Sequence, residues 1–181
     1  MKNIVYTLAC ASILFFTACS SKNKNGEDTQ LSMQDSTAIA GPQRMQVSEV
    51  KATFTYKGKD YQSSVVRQPD ETLPIVTDEQ GTKFVDNRIA LRITSGGKQV
   101  VDKVFTKESF ASLIDSKFMK YAILEGLVFD QTTPQGMIYA ASVCYPQSDL
   151  YVPIRLTITA DGNISMAKED LMEDYQPDSI Q

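Results

Sequence analysis

Leu150-Tyr151-Val152-Pro153-Ile154-Arg155-Leu156-Thr157-Ile158 is the stretch on which the fold turns. Its apolar residues fall at every second position, the period of a strand with one face buried and one face wet. Pro153 lies on the opposite face and donates no backbone hydrogen bond, so the reading puts it at an edge or a bulge. The same period recurs upstream. Val50, Ala52, Phe54 and Tyr56 alternate with polar residues, and Gly58-Lys59 reads as the turn into a second strand over 61–67. Ile89, Leu91 and Ile93 repeat the pattern, and Gly96-Gly97 supplies the positive φ of a tight hairpin before 100–105. The run 123–129 is almost continuously apolar, as in a strand covered on both sides. A strand over 137–145, a turn at 146–149 and an Asp161-Gly162 turn into Ile164 and Met166 complete the series.

One helix interrupts the strands. Thr106 is a suitable N-cap, and Phe110, Leu113, Ile114 and Phe118 share one face of a helix of about 13 residues. So short a helix holds only when its face packs on the sheet. The expected fold class is α+β: mainly antiparallel β, about eight strands in a sandwich or partial barrel, with one helix packed on the sheet.

The N-terminus follows a different logic. After Lys2, residues 4–18 carry no charge. At about 1.5 Å per residue this run spans roughly 22 Å, short of the ~30 Å hydrocarbon core. It reads as an export signal over 1–18. The segment ends Phe16-Thr17-Ala18-Cys19-Ser20-Ser21, which resembles the lipobox of bacterial lipoproteins with Phe where Leu is preferred. That resemblance implies lipidation of Cys19 and cleavage before it. Residues 19–46 are polar and aperiodic and read as a tether, 47–170 as one globular domain, and 171–181 as an acidic tail.

Composition excludes more than it suggests. The 181 residues contain no histidine, which removes Ser-His-Asp and Cys-His nucleophiles and His-bearing zinc sites. Tryptophan is also absent, which weakens sugar stacking while eight tyrosines remain. Loss of Lys2 with the signal takes the net charge from −4 to −5, a poor match for nucleic acid. Of three cysteines, Cys10 leaves with the signal and Cys19 is acylated. Cys144 is then unpaired and reads as a small buried apolar residue. No phosphate loop, repeat or catalytic signature is present, and no cofactor, resident metal or catalytic residue is assigned.

Two acidic features hold the remaining interest. The loop 68–87 carries Asp70, Glu71, Asp78, Glu79 and Asp86, a candidate ligand or ion patch with oxygen donors of the kind calcium takes. It lacks EF-hand spacing, and Asp78-Glu79-Gln80-Gly81 reads equally as a turn. Glu125 sits within an apolar strand and calls for an outward position, a site cavity, or a partner among Arg88, Arg92 and Arg155.

Pro69-Asp70-Glu71 with Leu73-Pro74 and Val76, Asp78-Glu79 with Gly81, Asp86-Asn87, Phe105-Thr106-Lys107 with Phe110, Ile123-Leu124-Glu125-Gly126-Leu127, and Ser142-Val143 with Tyr145-Pro146 and Asp149 together carry a resemblance. They resemble a family of lipoproteins from Bacteroides-type bacteria known as a domain of unknown function. The resemblance implies a Gram-negative host and an outer-membrane lipoprotein with a periplasmic domain, surface exposure being the other option. Two classes of function follow. One is a tethered, non-catalytic binding or accessory module for a protein, glycan or apolar ligand, a hydrolase inhibitor among them. The other is a carboxylate-dependent hydrolase of the glycoside hydrolase type, which needs two acids and no histidine.

Overall fold

The computed structural model describes residues 41–169. The signal (1–18), Cys19 and the acidic tail (171–181) lie outside the described residues, as does most of the stretch read as a tether. Among the described residues ten strands run in chain order: β1 (Ser48–Tyr56), β2 (Lys59–Pro69), β3 (Val76–Thr77), β4 (Lys83–Phe84), β5 (Asn87–Ser95), β6 (Lys98–Phe105), β7 (Ile123–Thr132), β8 (Met137–Cys144), β9 (Tyr151–Ile158) and β10 (Ile164–Lys168). They form two four-stranded antiparallel sheets, β1-β2-β5-β6 and β10-β9-β8-β7, and the small hairpin β3-β4. The architecture is thus mainly antiparallel β, as expected, and it does not close into a barrel.

Local chemistry sets the hairpins. Gly96 and Gly97 both have positive φ (55° and 76°), the type I′ geometry whose twist matches that of the flanking strands. The first hairpin turns on Lys57 (φ 49°) and Gly58 (φ 72°), one residue before the expected Gly58-Lys59 pair, so that Tyr56 faces Lys59.

The alternating residues meet in a shared core. Ile89, Leu91 and Ile93 from the first sheet, and Ile154, Leu156 and Ile158 from the second, are fully buried in one cluster with Phe105 and Phe110. Strand β7 approaches β1, β2 and β5 of the facing sheet, so it runs across that sheet rather than along one strand. Near its far end Phe129 stacks on Phe54 of β1, centroids 4.0 Å apart. The Tyr139 hydroxyl on β8 donates to Ser63 Oγ on β2 at 2.8 Å, a buried polar tie between the sheets. Burial pushes that phenol up to about 12. Tyr139→Phe is expected to lower unfolding free energy by about 1–2 kcal/mol in urea titrations, because Ser63 loses its partner. Adding Ser63→Ala should recover part of that loss.

Three expectations need correction. The single helix is two short pieces, a 3₁₀ turn (Lys107–Leu113) and α1 (Ser116–Tyr121). Ile114 between them is extended (φ −124°, ψ 139°), and Asp115 caps the second piece by accepting from the Lys117 N–H at 2.8 Å. An aspartate that competes for backbone donors favours a new helix start over a continuous helix. The loop 68–87 is not wholly irregular, since it contains β3 and β4. Finally, paired backbone begins before residue 47: Gln43 bridges Phe84 in parallel, its N–H donating to Lys83 O at 2.7 Å and its carbonyl accepting from Val85 at 2.8 Å. Residues 43–46 therefore form a strap across the hairpin.

Pro153 occupies the kind of place its chemistry demands. Strand β9 lies between β8 and β10, yet β10 stops opposite Ile154, so Pro153 pairs only with Ser142 of β8 on the strand side. Its carbonyl accepts from the Glu169 N–H at 3.0 Å.

Candidate functional site

The first three residues of β7 organise the site. Ile123 and Leu124 are both buried although they are neighbours, because each side of the strand start is covered. Leu124 faces the main core, and Ile123 joins Val76, Phe84 and Cys144 in a second small cluster under the β3-β4 hairpin. The pairing with β8 then slips between Leu124 and Gly126, leaving Glu125 as a bulge. Bulges re-aim a side chain, and they let Leu127 return to the core three residues after Leu124.

Three buried or half-buried side chains hold that bulge. Asp86 Oδ1 accepts from the Leu124 N–H at 2.9 Å and from the Asn87 N–H at 2.8 Å. Asn87 Nδ2 donates to Leu124 O at 2.8 Å and to Met45 Sδ at 3.3 Å. Arg67 Nη1 donates to Glu125 O at 2.8 Å while its Nη2 reaches Gln46 O of the strap at 3.3 Å. Behind them Lys107 Nζ lies 3.5 Å from Asp86 Oδ2 and donates to the carbonyls of Ala122 (2.8 Å) and Met119 (3.2 Å). Burial raises the Asp86 carboxyl above its ordinary value, outweighing the two backbone N–H donors and Lys107, which pull it down. Arg67 Nε and Asn87 Oδ1 are buried with no protein partner among the described residues. Holding the bulge therefore leaves some polar capacity unspent.

In front of the bulge lies a half-enclosed cleft of about 180 Å³, between the strap, β4 and the turn after β8. Met45, Phe84 and Ile123 make its apolar floor, and Glu125 and Cys144 also line it. Ser142 Oγ donates to Glu125 Oε2 at 3.1 Å. The Cys144 thiol is pushed up to about 12 by burial first and by the neighbouring Glu125 carboxylate second, so it stays protonated and a poor nucleophile at neutral pH. A second recess of about 340 Å³ adjoins at Pro146 and Gln147, walled by Tyr121 and Tyr145 with Asp78 and Glu79 at its rim. Tyr145 is fixed there by stacking on Phe118, centroids 4.5 Å apart.

The five loop acids are not one patch. Asp70 is spent on its own turn, accepting from Thr72 Oγ1 at 2.6 Å and the Thr72 N–H at 3.0 Å, which lower its pKa, with Arg88 3.7 Å away. Glu71 pairs with Arg44 of the strap at 2.7 Å. Asp78 shapes the β3-β4 turn by accepting from Gln80 and Thr82 N–H groups at 2.9 and 2.8 Å. Asp86 is 2% exposed and faces inward. Only Asp78 and Glu79 meet at one recess, and among the described residues no three acidic or thiol side chains gather to hold a metal. Glu125 finds none of its expected partners either. Arg88 goes to Asp70, Arg92 to Asp102 at 3.1 Å, and Arg155 to Glu169. The residues not foreseen are Met45, Arg67, Asn87 and Lys107. Their signal was faint, because the partners of these side chains lie 12 to 58 residues away in sequence.

Fold and site define a small antiparallel β domain with a bulge-built cleft in which Ser142 and Cys144 lie beside Glu125. The chain belongs to the family described as Domain of unknown function (DUF4738), whose model matches residues 27–166. The match begins well before Val47, and the strap lies within it. Comparison with curated proteins finds no match.

Proposed function

We propose that the chain is a lipid-anchored protein of the cell envelope whose domain binds a ligand without transforming it. The observation that carries this reading is the cleft: an apolar floor, one fixed carboxylate and a thiol held at about 12, in a chain without histidine. Sites of this kind, concave and mostly apolar with a few placed polar groups, recognise small ligands or single side chains. The carboxylate-hydrolase alternative draws less support, because four of the five loop acids are engaged in turns or ion pairs. The Phe16-Thr17-Ala18-Cys19 lipobox supports the anchor, the family resemblance supports a Bacteroides-type host and its outer membrane, and the late arrival of acids at Glu27-Asp28 favours the periplasmic face.

A thermal-shift screen of the full chain in detergent against glycans, fatty acids, amines and calcium tests the binding half. A ligand at one hundred times its Kd should stabilise the fold by about 2.7 kcal/mol. Catalytic turnover of any screened glycan would overturn the reading. For the anchor, metabolic labelling with palmitate should mark the wild type and spare Cys19→Ala, which should also leave the membrane fraction. Equal labelling of the two would remove Cys19 from the account.

A further inference from the structure

We propose that the cleft takes an alkylammonium group, a protonated amine at the end of a short apolar chain, with Glu125 as its counter-ion. This rests on the reading of the cleft as a binding site, and names the chemistry it selects.

The backbone at Glu125 is held from several sides. The bulge turns it out of the β7 alternation, and the two carbonyls flanking its N–H and its own Cα are gripped by Asn87 and Arg67. Asp86 takes the preceding N–H. A carboxylate preorganised by supporting side chains is the arrangement that recognition sites use.

The carboxylate is also uncompensated. No cation lies within salt-bridge distance of it among the described residues, and Arg44, the one cation lining the cleft, pairs with Glu71. Its carboxylate accepts from Ser142 on Oε2, and the Cys144 thiol also hydrogen-bonds to it. A half-exposed carboxylate in a cleft with an apolar floor offers an opposite charge a counter-ion. A divalent cation takes six or more oxygens, and the cleft does not supply them. A guanidinium prefers both carboxylate oxygens, of which one is already shared with Ser142. An ammonium is a compact charge that can engage a carboxylate through a single oxygen, and its methylenes would lie along Met45, Phe84 and Ile123.

Methyl NMR of the full chain in detergent, reading Met45, Val85 and Ile123, tests this with three four-carbon probes: butylammonium, 1-butanol and butyrate. Butylammonium should perturb these methyls about tenfold more tightly than the other two, and Glu125→Gln should remove that margin while leaving butanol unchanged. Should the variant fail to fold, the wild-type comparison of the three probes decides alone. An Nα-acetyl-lysine amide that binds as well as butylammonium marks a protein lysine as the source, and one that does not bind marks a free amine. Equal binding of butanol and butylammonium would overturn the ammonium assignment and leave the cleft as a binding site. No perturbation by any probe would overturn both.

Discussion

Asp86→Ala is expected to lower unfolding free energy by about 3–5 kcal/mol, the usual loss when one member of a buried ion pair is removed. The side chain is 2% exposed and Lys107 is scarcely more open, so the lysine cation would be left with two carbonyls and no counter-charge. The N–H groups of Leu124 and Asn87 would lose their acceptor at the same time. Urea unfolding followed by circular dichroism measures the loss, and a change below about 1 kcal/mol would mean that the network is not a structural tie. Asp86→Asn separates charge from shape. The unfolded carboxyl titrates near 3.8, and burial raises it in the folded protein. Between those two values the folded state holds more protons than the unfolded one, so this group's contribution falls as pH climbs. The advantage of wild type over Asp86→Asn should therefore be largest at acid pH, below the unfolded value. It should shrink as pH rises through the folded value. A gap that grows with pH would reverse the assignment of burial as the dominant effect.

Gly162→Ala should cost about 2–4 kcal/mol, from two additive causes. Its φ is +85°, a conformation that any Cβ destabilises by roughly 1–2 kcal/mol. The added carbon would also stand 2.4 Å from the carbonyl oxygen of Val100, a backbone atom that no rotamer change can remove. Val100 is itself the extra residue where β6 slips against β5, so the tight β9-β10 turn is seated against a bulge of the other sheet. Gly97→Ala provides the control. It shares the positive φ (76°) but meets nothing within 4 Å, so the difference between the variants isolates the contact. Equal losses would show that conformation alone sets the cost.

Much of this fold is written in period two. Ile89, Leu91 and Ile93, and Ile154, Leu156 and Ile158, announce their strands and their buried faces, and Gly96-Gly97 announces its turn. These features are legible because each depends on neighbours in sequence. The site depends on neighbours in space. Strands β3 and β4 have two residues each, too few for any period, and Val76 and Phe84 belong to the short doublets Ile75-Val76 and Phe84-Val85, sheltered by Ile123. Asp86 looks like another loop acid until Lys107 is folded beneath it. Glu125 invited arginine partners, and the arginines are occupied by nearer acids. One clue was present: the doublet Ile123-Leu124 followed by Leu127 fits no strict alternation, and a bulge is the simplest way to bury all three.

The route of the chain between its two main sheets has a further consequence. Every strand of the first sheet precedes residue 106 and every strand of the second follows residue 122. The polypeptide therefore passes from one to the other once, through the 3₁₀ turn and α1. Each side of that passage carries a full meander with one oily face and no cover of its own. A break at the exposed Ala111-Ser112 would leave two fragments, each the other's missing half. The domain is in this sense a heterodimer written as a single gene, and it offers itself as a split reporter whose halves rejoin through their shared core.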